Sequence, residues 1–437
     1  MKTRTILVCC VFFTSLFCAA GINGQNEKKT LRHMTVIKGR VIDAATKKPL
    51  PFASITLKGS YHSNVTNGDG IFSFKISEPA ANDSLKFGFM GYRDTTISVA
   101  SLKEGTHRQT IRLKSTEYKL NTVYIHPHDG LSLFKAVFDK DNIAKNYPNR
   151  NEVLTTFYRE TIKRGSKFVT LNEAILDILK RPYFYDNVLP DMIAIYKGRG
   201  DINYRITDTL FMSYKSGAYS SLDIDLARSP FLATTVETAP SYYNFKVDPM
   251  IIEGNTPVYI LEFNQKPGMN EPLYKGKLYI EGNSMAIMRA EFEMNVAGYP
   301  NAYKYFLKNK PSGVSLKVNN AKYIINYKIF DGKWHFDYSR IELNFTGKYK
   351  GKWLSKKYSV ISEMAVTGYN DSERYQDKMK AFRKEYQSNK LRPSDILAKK
   401  LSNFDNQDFW QNYNIIQPDE SVYSIIKKIK RQLKHRE

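Results

Sequence analysis

Apolar and polar side chains alternate in several short runs between residues 36 and 114. Successive residues of a strand point to opposite faces of a sheet, so this period of two predicts strands that bury one face and expose the other. The apolar members of the runs are Ala53, Ile55, Leu57, Phe72, Phe74, Ile76, Leu85, Phe87, Phe89, Ile97, Val99, Ile111 and Leu113. Short strands in succession favour a β-sandwich or a barrel.

Turn-forming residues separate these runs. The clearest turn signal is the sequence Asn67, Gly68, Asp69 and Gly70, because asparagine and glycine adopt positive φ at little cost. Runs and turns together predict a β-sandwich over residues 35–115. Oxygen ligands beside a glycine turn could also bind calcium, but the spacing of a calcium loop is absent. We therefore interpret Asp43, Asn67 and Asp69 as side chains that satisfy backbone groups of the turns.

Four motifs in this region carry a resemblance to a known family. They are G-x-V-x-D from Gly39, P-L-P-F-A from Pro49, T-N-G-D-G-x-F from Thr66 and F-x-G-Y from Phe89. Together they resemble the carboxypeptidase-regulatory-like (prealbumin-like) β-sandwich of Gram-negative envelope proteins. The resemblance implies a structural or docking module. It implies no peptidase activity, because the family is named after a module that accompanies the catalytic domain of metallocarboxypeptidases.

The beginning of the chain has the pattern of a secretion signal. Two basic residues precede an apolar run from Ile6 to Phe17 that is too short to span a bilayer, and small residues follow it. We predict that residues 1–24 are a signal peptide that is cleaved after Gly24, although cleavage after Ala20 also fits. Export would place the protein in the periplasm or at the periphery of the outer membrane.

The cysteines bear on redox chemistry and on lipidation. All of them lie within the predicted signal, at Cys9, Cys10 and Cys18. The exported protein would therefore contain neither a disulfide nor a thiol site. Cys18 could instead become the acylated first residue of a lipoprotein, but the bulky Phe17 stands where such signals usually carry a small residue. We favour the cleaved signal peptide.

Beyond the sandwich, residues 116–150 are predicted to form a connector that ends in a helix. Apolar residues recur at helical spacing over 129–147, and Pro148 ends the pattern. Residues 151–370 are predicted to form a larger antiparallel β domain. Its clearest element is a hairpin at 276–294, in which two alternating runs flank a glycine turn. The predicted fold is therefore mainly β, with flanking helices.

The larger sheet needs a cover on its apolar face, and the helices predicted at 129–147 and 373–387 are candidates. Strand order and the hairpin resemble the half-barrel of periplasmic lipoprotein carriers, whose concave apolar face holds acyl chains. No functional residue follows from this resemblance, but Met288, Phe292 and Met294 of the hairpin are candidates to line such an apolar ligand face. A filled hydrophobic core is the alternative interpretation of these three side chains, and it is the one that we favour.

Two stretches depart from a simple strand pattern. In residues 334–345 the apolar positions change parity, which predicts a β-bulge near Ser339 and Arg340 or burial of both faces. Residues 180–250 combine aromatic residues with scattered proline and glycine. We expect loops there that cover the open side of the sheet and contribute to binding.

The last part of the chain, residues 371–437, is predicted to be a helical tail. A charged helix is followed by the sequence F-W-x2-Y-N-I-I and by a helix from Asp419. The apolar stripe of that last helix contains Val422, Ile425, Ile426, Ile429 and Leu433. Its basic end could bind an anionic membrane surface, but we favour packing of the stripe onto the sheet.

The sequence contains no recognisable catalytic or metal-binding constellation. The close histidine pair His126 and His128 lies in the predicted connector without further ligands nearby, and His335 lies in an alternating run. Motifs of metalloproteases, serine hydrolases and phosphate loops are absent. We therefore predict a non-enzymatic protein with no catalytic residue, no metal and no cofactor.

Charge narrows the choice of partners. The formal net charge is +23, and the predicted signal accounts for only two of these charges. Such a charge usually favours nucleic acid, but export argues against that partner. We expect a binding or docking role in the envelope, with another envelope protein or an anionic lipid, lipopolysaccharide or glycan as partner. A lipid- or lipoprotein-carrying half-barrel and a glycan- or peptide-acting hydrolase are the alternatives.

Overall fold

The computed structural model of the chain is mainly β, which confirms the predicted fold class. It describes residues 34–102, 109–116, 129–183, 189–202, 217–228, 232, 234–253, 256–307, 312–369, 375–401, 410, 413–419, 422–424 and 426–427. The predicted signal peptide, the three cysteines and the pair His126 and His128 lie outside the described residues. Among the described residues, no helix is long and apolar enough to cross a membrane.

The N-terminal strands form two small sheets around a common core. They are β1 (Met34–Asp43), β2 (Ser54–Leu57), β3 (Ser63–Val65), β4 (Ile71–Ser77), β5 (Ser84–Gly88), β6 (Thr95–Ser98) and β7 (Gln109–Leu113). One sheet has the order β4-β1-β7, in which β1 is antiparallel to β4 and parallel to β7. The other has the antiparallel order β3-β2-β5-β6. Ile37, Phe74 and Phe87 are fully buried between the sheets, as the alternation requires.

The larger sheet contains 11 strands and is antiparallel. Its strands are β8 (Glu152–Arg164), β9 (Lys167–Lys180), β10 (Met192–Ile202), β11 (Tyr243–Glu253), β12 (Thr256–Gln265), β13 (Tyr274–Glu281), β14 (Ala286–Met294), β15 (Val314–Phe330), β16 (Lys333–Tyr349), β17 (Lys356–Tyr369) and β18 (Lys390–Leu391). The order is β11-β12-β13-β14-β15-β16-β17-β8-β9-β10-β18, so the sheet is open and its first strand in sequence pairs with β17. The half-barrel resemblance itself stays a prediction.

Short helices accompany this sheet. They are α1 (Gly130–Val137), α2 (Lys140–Asn146), α3 (Gly217–Asp223), α4 (Ala239–Tyr242) and α5 (Tyr375–Asn389). The single helix predicted over 129–147 is therefore two helices. Asp139 interrupts it, because its carboxylate accepts the N–H groups of Asp141 and Asn142 at 3.0 and 3.2 Å and so caps the second helix.

Different parts of the chain cover the two faces of the larger sheet. On the face that we call inner, α1 packs against β11 and β12, and α3 packs against β16 and β17. Leu261 and Leu278 are fully buried there. On the outer face, Phe157 and Ile175 are fully buried under the sandwich and the C-terminal residues, and α5 covers the neighbouring strands. Both faces of β8 and β9 are therefore buried over most of their length.

The C-terminal helix is described at residues 422–424 and 426–427. Val422 and Ile426 are buried against Phe168 and Leu171 of β9. These two residues of the predicted stripe thus pack onto the sheet. The remaining members of the stripe, Ile425, Ile429 and Leu433, lie outside the described residues.

Residues 180–250 contain the strands β10 and β11, so the expectation of loops there is wrong for those parts. Bulges interrupt the period-two pattern of both strands, because the pairing register shifts after Ile195 in β10 and after Asp248 in β11. Gly198 interrupts the apolar pattern further. A Cβ at this position would collide with Leu401, so the glycine allows that leucine to pack on the strand.

The parity change in 334–345 is a β-bulge, but it lies at Asp337 rather than near Ser339 and Arg340. Neighbouring residues of β15 pair with Phe336 and Tyr338, which leaves Asp337 out of the ladder. Tyr338 faces outward and is fully buried against the sandwich. The change of face therefore precedes Tyr338 and does not follow it.

Candidate binding cleft

A cleft of about 730 Å³ lies between the sandwich and one end of the larger sheet. The sandwich contributes β2, β5 and the residues that follow β5. The larger sheet contributes the turn between β15 and β16 and parts of β11 and β14. Among the lining residues are Phe89, Glu253, Met288, Arg289, Lys328 and Asp337. Clefts of this size between two packed units are common ligand sites.

Phe52, another lining residue, joins the two parts of the cleft. Its φ of 62° lies in a region that bulky side chains rarely adopt. Its ring stacks on Tyr338 with 5.6 Å between the centroids, and the guanidinium carbon of Arg340 lies 5.0 Å from its centroid. These contacts compensate for the strained backbone. Phe52 therefore connects the sandwich to β16 at this point.

A buried amine of the cleft lacks a hydrogen bond to any described residue. Nζ of Lys328 is buried and forms no hydrogen bond there. Burial lowers the pKa of Lys328, and the charge of Asp337 opposes this shift. Asp337 is itself buried, which raises its pKa although Lys328 is near. An isolated buried ammonium is unfavourable unless a negatively charged group approaches it.

Glu253 is a second charged group without a full set of partners. Its Oε2 is buried and forms no hydrogen bond to a described residue. Burial and the charge of Asp94 raise the pKa of Glu253 to about 7. Asp94 itself pairs with Lys86 at 2.6 Å. Within the described part of the chain, no His, Cys, Asp and Glu side chains are grouped as metal ligands.

Replacing Glu253 with glutamine is expected to stabilise the unliganded protein above pH 7 by roughly 2 to 3 kcal/mol. The folded-state pKa of about 7 exceeds the ordinary value of 4.5. The folded protein therefore binds more protons than the unfolded chain between these two values and loses stability as the pH rises. Below pH 4.5 the variant and the wild type should converge. Urea unfolding across this range tests the prediction, and a pH-independent difference would contradict it.

The three predicted apolar ligand residues lie in two environments. Phe292 and Met294 belong to the buried core of the inner face, where Phe292 stacks on Tyr323 with 4.9 Å between the centroids. Met288 is a bulged residue, because β13 pairs with the residues on either side of it. It is half-buried and lines the cleft. A bulge changes the face on which the following side chains lie. A strict alternation that ignores the bulge therefore places Met288 on the same face as Phe292 and Met294, although it lies elsewhere.

The signature turn of the sandwich contacts the C-terminal part of the chain. Oδ1 of Asn67 accepts the N–H groups of Asp69 and Ile71 at 2.9 and 2.8 Å, and its Nδ2 donates to the carbonyl of Pro418 at 3.1 Å. Asp43 accepts backbone N–H groups in the same manner. Both side chains therefore serve the backbone of turns, which is the role that the turn interpretation assigns to them.

A segment that we call the strap lies between the sandwich and the outer face of the larger sheet. It consists of Trp410 and residues 413–419. On the sandwich side, Asn414 exchanges two hydrogen bonds with the backbone of Lys75, at 2.8 and 3.2 Å. On the sheet side, Nη2 of Arg159 donates to the carbonyl of Ile416 at 2.8 Å. The F-W-x2-Y-N-I-I sequence thus supplies residues that connect the two β units.

A buried ion network lies beneath the strap. Glu173 is fully buried on β9 and pairs with Arg159 and Arg199, each at 2.7 Å. Nε1 of Trp410 lies 3.3 Å from Glu173 and donates to it. Burial alone would raise the pKa of Glu173, but the two guanidiniums hold it below its usual range. Sequence reasoning missed this network because its members occupy polar positions of strands, which usually face water.

Another buried cluster anchors the connection between β10 and β11 to the inner face. Nζ of Lys180 lies 2.6 Å from a carboxylate oxygen of Asp225 and 3.2 Å from one of Asp191. The hydroxyls of Tyr183 and Tyr327 donate to Asp225 at 2.9 and 2.8 Å. All five side chains are buried. The cluster is therefore an anchor of the fold and offers no accessible group to a ligand.

The N-terminal sandwich matches the model of a known domain family. Residues 37–125 match the CarboxypepD_reg-like domain. This part of the chain is therefore a CarboxypepD_reg-like domain, and the resemblance inferred from its four motifs is confirmed. A comparison with curated proteins finds no match for the chain.

Two solved structures illustrate how distant the structural matches are. A DUF1329 family protein from Desulfovibrio piger is 13% identical with a TM-score of 0.23, and the match covers 56% of this chain and 97% of that one. The MucA/MucB complex of Pseudomonas aeruginosa gives 10% identity, a TM-score of 0.17 and coverage of 56% and 96%. TM-scores this low establish neither a common fold nor a common function.

Proposed function

We propose that the protein is a non-enzymatic binding protein of the bacterial cell envelope and that its cleft holds the ligand. The observation that carries the proposal is the buried amine of Lys328, which has no hydrogen-bonding partner among the described residues. A ligand that brings a negative charge would offset the cost of burying this amine. The position of the cleft between the sandwich and the larger sheet also supports a binding role.

The ligand is expected to be anionic at one end and apolar elsewhere. Lys328 supplies a positive charge to the cleft, while Phe89 and Met288 supply apolar surface. Acidic lipids, acidic glycans and acidic segments of other envelope proteins share this chemistry. The signal-like sequence of residues 1–24 and the CarboxypepD_reg-like domain support placement in the envelope.

Native mass spectrometry of the protein purified gently from a periplasmic extract tests this proposal. The wild type is expected to carry a bound species, and Lys328→Met is expected to weaken its binding by at least about thirtyfold. Lys322→Met on the same strand is the matched control, because Lys322 is exposed and lies outside the cleft lining. The unliganded Lys328→Met protein should be at least as stable as the wild type. A wild-type mass without ligand, or equal occupancy in both variants, would contradict the proposal.

The lipid-carrier alternative has less support. It requires an open apolar surface on the inner face, but Phe292 and Met294 are buried in its core. Aromatic packing fills the space around Phe292, where Tyr274 and Tyr323 lie 5.8 and 4.9 Å away between ring centroids. Any apolar part of a ligand therefore has more room in the cleft than on this face.

A further inference from the structure

The turn between β16 and β17 presents two apolar side chains to solvent. Trp353 is 93% exposed and Leu354 is 80% exposed, more than any other large apolar side chain of the described residues. They are adjacent at the tip of the hairpin, which we define as residues 350–355. Contiguous apolar surface of this kind usually marks a site that a partner covers.

Positive charge surrounds the tip. Its own hairpin carries Lys348, Lys350, Lys352, Lys356 and Lys357, and residues 343–358 contain neither Asp nor Glu. The β8–β9 hairpin lies alongside, because the N–H of Gly165 donates to the carbonyl of Lys357 at 2.8 Å. Residues 161–172 also lack acidic side chains and add Lys163, Arg164 and Lys167. One end of the larger sheet is therefore basic around an apolar tip.

Hydrogen bonds hold this tip in shape. The N–H of Lys350 donates to the carbonyl of Gly313 at 2.7 Å, and the N–H of Lys352 donates to the carbonyl of Tyr349 at 3.0 Å. Nζ of Lys356 lies 4.6 Å from the ring centroid of Tyr349. The turn that carries the apolar pair and the lysines is thus already ordered before binding. Docking does not cost the entropy of ordering it, which favours binding.

We propose that the tip of the β16–β17 hairpin docks the protein on an anionic phospholipid bilayer. Tryptophan and leucine favour the boundary between headgroups and acyl chains, and lysines near that boundary attract anionic lipid phosphates. A protein partner fits less well, because lysine is depleted at protein–protein interfaces. Trp353 and Leu354 enter the headgroup region, and the surrounding lysines contact the phosphates.

This docking site is distinct from the cleft and goes beyond the proposed binding function. The cleft lies at the β15–β16 turn, whereas the tip lies at the other end of β16. A strand of 17 residues separates the two ends by roughly 50 Å. A protein docked through the tip therefore keeps the cleft clear of the bilayer surface, where a ligand can still reach it.

Vesicle co-sedimentation of the full chain tests the docking site. The wild type is expected to bind vesicles of phosphatidylglycerol and phosphatidylethanolamine and to bind pure phosphatidylcholine vesicles weakly. The double variant Trp353→Ser with Leu354→Ser should bind the anionic vesicles at least about tenfold more weakly. Lys352→Gln with Lys356→Gln should also weaken binding, and added salt should weaken wild-type binding because it screens the charges.

Matched controls separate docking from folding. Leu189→Ser changes an apolar side chain that is 57% exposed just before β10, at the opposite end of the sheet and outside the cleft lining, and it should bind vesicles like the wild type. Both tip residues are exposed, so the double variant should unfold at the wild-type temperature. Equal binding to anionic and neutral vesicles, or full binding by the double variant, would overturn the proposal. The latter result would assign membrane binding to another basic segment.

Tryptophan fluorescence gives an independent readout. The chain has three tryptophans, of which Trp334 and Trp410 are buried and Trp353 is exposed. Anionic vesicles should therefore shift the emission of Trp353 to shorter wavelength, and the shift should be absent in Trp353→Phe. An unchanged spectrum in vesicles that bind the wild type would show that the tip does not enter the bilayer.

Discussion

Replacing Glu173 with alanine is expected to lower the free energy of unfolding by about 3 to 5 kcal/mol. The substitution removes the carboxylate that Arg159 and Arg199 share at 2.7 Å each, so the charge that offsets these two buried guanidiniums is reduced. Uncompensated buried charge is among the largest single effects on stability. Denaturant unfolding monitored by circular dichroism measures the loss.

The effect of Glu173 should depend on pH in one direction. The two arginines hold its folded-state pKa below the ordinary value of 4.5, against the opposing effect of burial. The carboxylate therefore contributes its full stabilisation above about pH 4.5, and that contribution is lost as the pH falls through the folded-state pKa. Wild type and Glu173→Ala should accordingly become more alike in acid.

Glu293→Ala is the matched control for this substitution. Glu293 pairs with Lys275 at 3.0 Å, but both side chains are more than one third exposed. Removing an exposed ion pair should change stability by less than about 1 kcal/mol. Equal effects of Glu173→Ala and Glu293→Ala would contradict the view that burial makes the Glu173 network important.

Replacing Trp410 with alanine is expected to destabilise the protein by about 3 to 5 kcal/mol. The indole is buried, meets the ring of Phe157 edge-on with 5.9 Å between the centroids, and lies 5.2 Å below the guanidinium of Arg199. The truncation leaves a cavity between the strap and the outer face and removes one donor from Glu173. Thermal and denaturant unfolding measure the change.

Trp353→Ala provides a control with the same change of side chain. Trp353 is 93% exposed, so its removal should alter stability by no more than about 0.5 kcal/mol. Similar losses for the two tryptophan variants would show that the strap contributes little to the fold. Because Trp410 and Glu173 are in contact, their double variant should lose less stability than the sum of the single losses.

The strap also links stability to the proposed binding site. It touches β4 of the sandwich through Asn414 and the outer face through Ile416, so it fixes how the sandwich sits on the sheet. The cleft is formed by the same two units at the junction marked by Phe52 and Tyr338. Loosening the strap is therefore expected to alter the shape of the cleft as well as the stability of the fold.

Local patterns were sufficient for the sandwich and for the central hairpin. Alternation and the turn at Asn67 are properties of neighbouring residues, so they can be recognised without knowledge of what packs on each face. The same reasoning was wrong about parts of β10 and β11 and about the position of one bulge. In each case a bulge changed the register, as at Asp337 and Met288. The position of a bulge depends on the neighbouring strand with which the residues pair.

The sequence by itself determined the mainly β fold, because period-two patterning and turn chemistry are local. It also contained the four motifs whose resemblance to a known family identified the N-terminal domain. Tertiary structure alone decided which charges are buried. Arg159 and Glu173 stand at polar positions of their strands and become buried only because the sandwich and the strap cover the outer face. Lys328 and Glu253 likewise become candidates for binding only because two separate β units enclose them. Burial of a charge depends on contacts between residues distant in sequence, which no local pattern encodes.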